Sequence, residues 1–183
     1  CADCGLGPTH LYDSDPAGAR KSDGAPDEPA DSSGTPVCNS CLGGRLARDL
    51  SSFTGRCLLF EPSLGPEAFI FRRLHEEADG GWPPDQVAAA RSWLHRLGDH
   101  CGSCGEPGRY LWVPVEHDAN LWADDWLARL TDGTLAPSDM LCGACAAGRV
   151  VASMEERGLH FEAIVAPCGT SPGADGVMFG SEL

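Results

Sequence analysis

Cysteine is the residue type in this 183-residue chain best suited to chemistry, and eight of the ten cysteines form pairs separated by two residues. The pairs are Cys1/Cys4, Cys38/Cys41, Cys101/Cys104 and Cys142/Cys145. Two such pairs supply the four thiolates of a tetrahedral metal site, whereas disulfide frameworks rarely consist of repeated pairs at this spacing. The pattern therefore predicts metal-binding thiolates in a reducing, cytoplasmic environment.

The two halves of the cysteine pattern resemble each other, which indicates an internal duplication. In both halves the first pair is followed directly by glycine, Gly5 or Gly105, and the second pair by two residues and then Gly-Arg. The intervals between the pairs are also similar, at 33 and 37 residues. We therefore expect one site from the first two pairs and one from the last two. Crossed pairing of the first pair with the third is the open alternative.

Four cysteines per site favour structural zinc, because catalytic zinc usually keeps one position open for water and prefers histidine or carboxylate ligands. The sequence thus predicts two structural Zn²⁺ ions per chain. Iron in a rubredoxin-like site uses the same ligands, but there both cysteine pairs normally end in glycine. Here Leu42 and Ala146 follow the second pairs.

The cysteine pairs also predict the local structure that must position them. Glycine after each first pair suits a tight turn, because glycine accepts positive φ. Each second pair fits the first turn of a helix, where residues three apart share a face. We expect helices over Ser40–Ser52 and Cys142–Arg157, each followed by a short apolar strand, Cys57–Phe60 and His160–Val165.

The segments between the cysteine pairs differ between the two halves. The loop 12–36 is polar and without apolar periodicity, which predicts a disordered or extended surface insertion. In the second half we expect a strand over Tyr110–Val115 and a helix over Asn120–Leu130, and therefore more core. Two further helices, Gly65–Asp79 and Pro84–Leu97, are predicted between the halves as a helical hairpin.

A turn carrying two cysteines, a loop or hairpin, and a helix carrying two more resembles the treble-clef class of zinc fingers. The resemblance rests on the eight cysteines with Gly5 and Gly105. It implies an α+β fold of two small zinc-stabilised treble-clef-like modules joined by the helical hairpin. The corresponding division is a first zinc module at 1–62, a helical linker at 63–99, a second zinc module at 101–167 and a C-terminal tail at 168–183.

An enzymatic alternative places nucleic-acid chemistry in the second module. Glu116 and His117 follow a predicted strand and Asp139 precedes the last cysteine pair, which is similar to the HNH class of metal-dependent nucleases. In that class an asparagine is expected where Asp139 stands, and a histidine where Ala146 stands. The resemblance implies a degenerate nuclease, because a site lacking that histidine holds Mg²⁺ poorly.

Net charge narrows the possible partners. The formal net charge is −14, and it becomes about −18 when eight thiolates and two Zn²⁺ ions are counted, so nonspecific nucleic-acid binding is disfavoured. No apolar run reaches the length of a membrane helix, so no membrane partner is expected. The acidic, lysine-poor composition fits either high-GC coding or a high-salt cytoplasm.

The sequence therefore predicts a non-enzymatic zinc-binding adaptor or accessory subunit that binds a protein partner. The expected interface anchors are Trp82, Trp93 and the arginines between positions 45 and 96, since aromatic residues and arginine are enriched at interface hot spots. Cys57 and Cys168 stand outside the pairs and are expected to be ordinary thiols.

Overall fold

The fold is that of a computed structural model, which describes most of the chain. The described residues are 1–8, 10–13, 34–52, 55–62, 69–74, 84–115, 126–158, 160–165 and 176–181. Their strands are β1 (His10–Asp13), β2 (Thr35–Val37), β3 (Arg56–Pro62), β4 (Ile70–Leu74), β5 (Tyr110–Val115), β6 (Asp139–Leu141), β7 (His160–Val165) and β8 (Gly176–Ser181). Their helices are α1 (Asn39–Ser52), α2 (Pro84–Leu97), α3 (Trp126–Thr131) and α4 (Gly143–Glu156).

The order of the elements repeats along the chain, as the cysteine pattern indicates. A turn with two cysteines, two strands, a helix and two more strands make up a first repeat, residues 1–74. The same series, with α3 added before β6, makes up a second repeat, residues 101–181. Strands β1 to β4 thus correspond to β5, β6, β7 and β8, and helix α1 corresponds to α4.

Strands from both repeats join in one eight-stranded sheet, in the order β2-β1-β7-β8-β4-β3-β5-β6. If each strand is replaced by its counterpart in the other repeat, the same order is obtained when the list is read from the other end. The two repeats therefore occupy equivalent places in the sheet. Strand β3 pairs in parallel with β5, from Cys57 opposite Tyr110 to Pro62 opposite Val115. Strand β7 pairs in parallel with β1, with Tyr12 opposite Ile164. The strand after each repeat's helix therefore pairs with the first strand of the other repeat.

Helices α1 and α4 pack on each other and cover one face of the sheet. In α1 the buried residues Leu42, Leu46 and Leu50 are four apart, which places them on a single face. Strands β3 and β5 contribute alternate residues to the same core, as the two-residue period of a strand requires. This first core contains Cys57, Leu59, Tyr110, Trp112, Ala146 and Val150 in addition to the α1 leucines.

Helix α2 covers the opposite face of β3 and β5 and forms a second core. Its buried residues Val87, Ala90 and Leu94 follow the helical period predicted for this segment. Ala90 and Leu94 pack with the strand residues that point away from α1 and α4, among them Leu58 and Leu111. No helix within the described ranges has both the length and the apolar character needed to cross a membrane.

The helical hairpin predicted between the repeats is wrong in its first half. The segment predicted as a helix over Gly65–Asp79 contains strand β4, Ile70–Leu74, instead. Strand β4 pairs antiparallel with β3, from Arg56 opposite Leu74 to Phe60 opposite Ile70. Ile70 and Phe71 are β-branched and aromatic residues that favour a strand, and the open edge of β3 supplies the hydrogen-bond partners.

Other expected elements are present, with shifted ends. The mixed helix-and-strand composition agrees with the predicted class, and α1, α2, α4, β3, β5 and β7 lie where elements of the same type are predicted. Within the described residues helix α3 spans Trp126–Thr131, inside the end of the predicted helix. Residues 120–125 of that predicted helix lie outside the described residues, as do 14–33 of the polar loop. The segment predicted to be a C-terminal tail, 168–183, contains strand β8 at Gly176–Ser181.

Candidate metal centres

Each repeat brings its two cysteine pairs together into one cluster. We call Cys1, Cys4, Cys38 and Cys41 centre 1, and Cys101, Cys104, Cys142 and Cys145 centre 2. Within each centre the four sulfur atoms all lie within 4.8 Å of one another. The first pair of each repeat thus meets the second pair of the same repeat, as the duplication predicts, and the crossed arrangement is not formed.

The separation of the sulfurs fits a tetrahedral metal ion. The Cys4 and Cys38 sulfurs are 3.6 Å apart, and the equivalent Cys104 and Cys142 sulfurs are also 3.6 Å apart. A metal–sulfur bond of about 2.3 Å gives a tetrahedron with sulfur–sulfur edges of about 3.8 Å. Each centre could therefore hold one metal ion, and its four sulfurs would complete a tetrahedral coordination sphere.

A tight turn positions the first pair of each centre. In the first repeat the N–H of Gly5 donates to the carbonyl of Cys1 at 3.0 Å, and in the second the N–H of Gly105 donates to Cys101 at 2.9 Å. Both glycines have positive φ, 75° and 79°. Residues with a side chain rarely adopt this conformation, which explains why glycine follows both first pairs.

The N-terminus of a helix positions the second pair. The N–H of Leu42 donates to the carbonyl of Cys38 at 2.8 Å, and the N–H of Ala146 donates to Cys142 at 2.9 Å. Cys142 is the N-cap of α4, and its sulfur accepts a hydrogen bond from the N–H of Cys145 at 3.4 Å. The positive end of the helix dipole lies at these residues and favours thiolate over thiol.

A third contact joins the turn to the hairpin before the helix. The N–H of Ala2 donates to the carbonyl of Pro36 in β2, and the N–H of Gly102 donates to that of Met140 in β6, at 2.8 and 2.9 Å. The turn, the hairpin and the helix of each repeat are therefore fixed to one another by matching backbone hydrogen bonds. The ligand geometry follows from the backbone and is the same in both repeats.

The local environment lowers the pKa of one thiol in each centre, Cys38 and Cys101. Hydrogen bonding from the Cys41 N–H lowers the pKa of Cys38. Burial raises the pKa of Cys101, but N–H donors, the foremost that of Cys142, outweigh burial and bring the pKa to about 6.

The local environment also raises the pKa of another thiol in each centre, Cys41 and Cys145. Hydrogen bonds with the Cys38 and Cys4 sulfurs raise the pKa of Cys41 to about 12. Burial raises the pKa of Cys145, and the neighbouring sulfurs raise it further. A metal ion binding to either centre must therefore displace protons, so its affinity rises with pH.

An arginine stands four residues after the last cysteine of each centre, on the same helical face. Arg45 makes a two-pronged ion pair with Asp3 in the turn of centre 1, with nitrogen–oxygen distances of 2.8 and 2.6 Å. Its guanidinium lies 5.8 Å from the centroid of the Tyr12 ring. The arginine thus links α1 to the cysteine turn and to β1.

The counterpart Arg149 contacts the equivalent aromatic residue in the second repeat. Its guanidinium lies 4.4 Å from the Trp112 ring centroid and 2.5 Å from a carboxylate oxygen of Asp139. The repeated Gly-Arg after each second pair is the sequence signal for these contacts, because a charged residue in the same place of both halves suggests the same contact. The spacing alone does not assign the two arginines a role at the centres.

The nuclease alternative depends on residues that the structure places only in part. Asp139 is engaged by Arg149, whose hydrogen bond lowers the pKa of the Asp139 carboxyl. Glu116 and His117 lie outside the described residues. A metal-binding arrangement of these three side chains therefore stays a prediction.

Two of the remaining candidate residues have buried side chains. Trp93 is 7% exposed and packs in the second core, so it is not available as the surface anchor expected from the sequence. Cys57 is buried in the first core, as expected of an ordinary thiol. Trp82 and Cys168 lie outside the described residues.

Comparison with known proteins leaves the two centres to be interpreted from their own geometry. No protein-family model, curated protein or solved structure matches this chain. The chemical evidence is therefore the donor set: four cysteine sulfurs per centre, placed by a glycine turn and a helix N-terminus in each repeat.

Proposed function

We propose that this chain is a non-enzymatic zinc-binding adaptor or accessory subunit, in which two treble-clef-like modules each hold one structural Zn²⁺. The observation that supports the proposal is the all-cysteine composition of both centres, with sulfur–sulfur distances that suit a single tetrahedral ion. Four protein ligands fill the coordination sphere and leave no position for water or substrate, which is typical of structural zinc.

Zinc is favoured over the other metals that thiolates bind. Soft thiolate donors in a tetrahedron suit Zn²⁺ or iron. The treble-clef-like series of turn, hairpin and helix places the second pair at a helix N-terminus, in α1 and in α4, rather than in a second glycine turn. This asymmetry between the two pairs supports zinc and disfavours a rubredoxin-like iron site.

The surroundings of the centres support a binding role rather than catalysis. Asp139, one of three residues of the nuclease alternative, is held by Arg149. The acidic balance of the chain opposes contact with phosphate, and Arg45 and Arg56 are paired with Asp3 and Asp99. A protein partner in a reducing compartment fits this charge pattern better than nucleic acid does.

The metal part of the proposal is tested by elemental analysis of protein purified without added metal. We expect two zinc equivalents per chain and a colourless sample. Fewer than two equivalents of metal, or mostly iron with visible colour, would contradict it. A variant with Cys4→Ser and Cys104→Ser together is the matched control and should lose zinc from both centres, since each substitution removes one exposed ligand.

The binding part is tested by affinity capture from the native host with mass spectrometry, comparing the zinc-loaded protein with the same protein after chelation. A zinc-dependent protein partner is expected. Duplex DNA should not bind tightly at ~150 mM salt, and Mg²⁺ or Mn²⁺ should not promote cleavage. Cleavage that Asp139→Ala abolishes would place the nuclease alternative first.

A further inference from the structure

We propose that the two metal centres are loaded cooperatively, so that an ion in either one raises the affinity of the other. This inference rests on the proposed function, because it takes both cysteine centres to be zinc sites. It comes from the exchange of strands between the repeats, in which the elements that assemble each centre are held by elements of the other.

The first link between the centres is the parallel pair β3–β5. Strand β3 follows α1, at whose N-terminus Cys38 and Cys41 lie, and β5 follows the turn that carries Cys101 and Cys104. Six residue pairs align along these strands. Where they begin, the N–H of Cys57 donates to the carbonyl of Arg109 at 2.9 Å. The helix of centre 1 and the turn of centre 2 thus belong to one hydrogen-bonded unit.

The second link joins the helix of centre 2 to the cysteine turn of centre 1. Strand β7 follows α4, the helix of centre 2, and pairs in parallel with β1, which follows the cysteine turn of centre 1. An ion in centre 1 ties β1 to α1, and an ion in centre 2 ties β5 to α4. Each ion therefore fixes one strand and one helix of its own repeat. Through the pairs β3–β5 and β7–β1, these elements in turn hold the helix and the turn of the other centre.

Side-chain contacts between the repeats reinforce the two strand pairs. The buried hydroxyl of Tyr110 in β5 donates to the carbonyl of Leu50 in α1 at 2.7 Å. The indole N–H of Trp112 in β5 donates to Glu61 in β3, also at 2.7 Å.

The helices of the two centres are also joined at one end. Asn39, the residue after Cys38, donates to Glu155 near the end of α4 at 2.8 Å. The helix that begins at centre 1 therefore contacts the far end of the helix that begins at centre 2.

Both centres also border the same core. Cys101 and Cys142 are members of the first core, and Cys1, Cys41 and Cys145 pack against it. Metal binding and folding are coupled in thiolate sites, because the ligands are not preassembled in the unfolded chain. An ion that orders this shared core at one end lowers the cost of ordering it at the other. By linkage, the effect on affinity must be equal in both directions.

The intact protein provides the main test. The chain is equilibrated with zinc buffered by a competing chelator, and native mass spectrometry measures the populations with no, one and two zinc ions. For two independent sites of any affinities, the one-zinc population reaches at least about half at its maximum. Cooperative loading lowers this maximum below the value calculated for independent sites from the affinities of the two single-centre variants. A maximum equal to that calculated value would overturn the proposal.

Single-centre variants measure the size of the effect. Cys4→Ser disables centre 1 and Cys104→Ser disables centre 2, and both residues are exposed, so neither substitution disturbs the core. We expect the overall two-zinc constant of the unaltered protein to exceed the product of the two single-centre constants by at least about 5-fold. Equality of the two quantities would overturn the proposal.

A matched pair of tyrosine variants tests the route of the coupling. Tyr110→Phe removes a hydrogen bond between the repeats, whereas Tyr12→Phe removes one within the first repeat, from Tyr12 to Asp49 in α1. The 5-fold excess should shrink in Tyr110→Phe and persist in Tyr12→Phe. Equal effects would contradict transmission through the inter-repeat contacts. Saturation below two zinc ions would instead refute the proposed function itself.

Discussion

The two repeats share the backbone that places their cysteines but differ in how deeply they bury them. In centre 2, Cys101 and Cys142 are buried, whereas in centre 1 three ligands are half-buried and Cys4 is exposed. Among the described residues, which exclude 14–33, the second repeat has a first strand of six residues where the first repeat has four, and it includes helix α3. Ligand geometry and enclosure of the ligands are therefore separable properties of this fold.

The largest difference is expected when one helical ligand is removed from each centre. Cys142→Ser and Cys38→Ser should each lose at least one zinc equivalent. Cys142→Ser should cause the greater loss of folded protein, because Cys142 is buried in the first core whereas Cys38 is half-buried. Zinc analysis and thermal unfolding followed by circular dichroism measure both effects. Equal unfolding temperatures of the two variants would show that burial of the ligand does not determine the loss of stability.

The next largest effect on stability is expected at the N-terminus of α4, where the two repeats have different residues. A methyl group on Gly143 of α4 would lie 2.6 to 2.8 Å from backbone atoms of Leu50 and Ser51 in α1, whereas the corresponding residue of α1 is Asn39. Gly143→Ala should therefore destabilise the protein by about 1–3 kcal/mol, as overpacking of a core does. Denaturant unfolding of the zinc-loaded protein measures the change.

The control for this substitution lies on the same helix. Gly148 is an exposed residue of α4 with open space around it, so Gly148→Ala should stabilise the protein by roughly 0.5–1 kcal/mol through helix propensity. Destabilisation by both substitutions would mean that α4 does not tolerate alanine for a reason other than the contact with α1.

A smaller effect, equal in the two repeats, is expected at the cysteine turns. Gly5 and Gly105 have positive φ, and no atom lies within 4 Å of an added methyl group at either. Alanine at each position should cost about 1–2 kcal/mol through backbone strain alone. Denaturant unfolding of Gly5→Ala, Gly105→Ala and the control Gly7→Ala, which has open space and no positive φ, tests this. Clearly unequal costs would mean that the two turns are not equivalent.

The smallest effect is expected at the arginines beside the centres. Arg149 lies closer to its aromatic ring than Arg45 does, at 4.4 against 5.8 Å, and its ring is an indole, the strongest cation–π partner. Arg149→Met should lose about 0.5–1 kcal/mol from this contact. A double-mutant cycle with Trp112→Leu isolates it, and the parallel cycle of Arg45 with Tyr12 should give less. A larger coupling energy for Arg45 and Tyr12 than for Arg149 and Trp112 would show that the distance to the ring does not determine the strength of the contact.

The ligands and their helices could be predicted from sequence because their signals are local. The spacing of Cys38 and Cys41 is read within one helical turn, and Gly5 marks a turn that only two neighbouring residues define. The apolar spacing of Leu42, Leu46 and Leu50 likewise lies within one helix. Such features depend on the residues of a single element and are independent of what that element packs against.

Strand β4 and the exchange of strands could not be predicted in this way. The residues around Ile70 form a strand because β3 lies beside them, and that neighbour is determined by tertiary structure. The pairing of β3 with β5 joins residues about 50 positions apart, and the cysteine spacing would be the same if each repeat kept its own strands. Similarly, β8 requires β7 and β4 on its two sides.

The pairing of β1 with β7 also constrains the order of events during protein synthesis. Tyr12 lies opposite Ile164, about 150 residues later, so β1 leaves the ribosome long before its parallel neighbour has been made. Domains generally fold as units while the chain is being synthesised, and such distant contacts are slow to form. Strand β1, which follows the first cysteine turn, therefore lacks its parallel neighbour until β7 has been translated. Until then the cysteines of the first repeat meet oxidants and competing metals without the packing that the second repeat supplies.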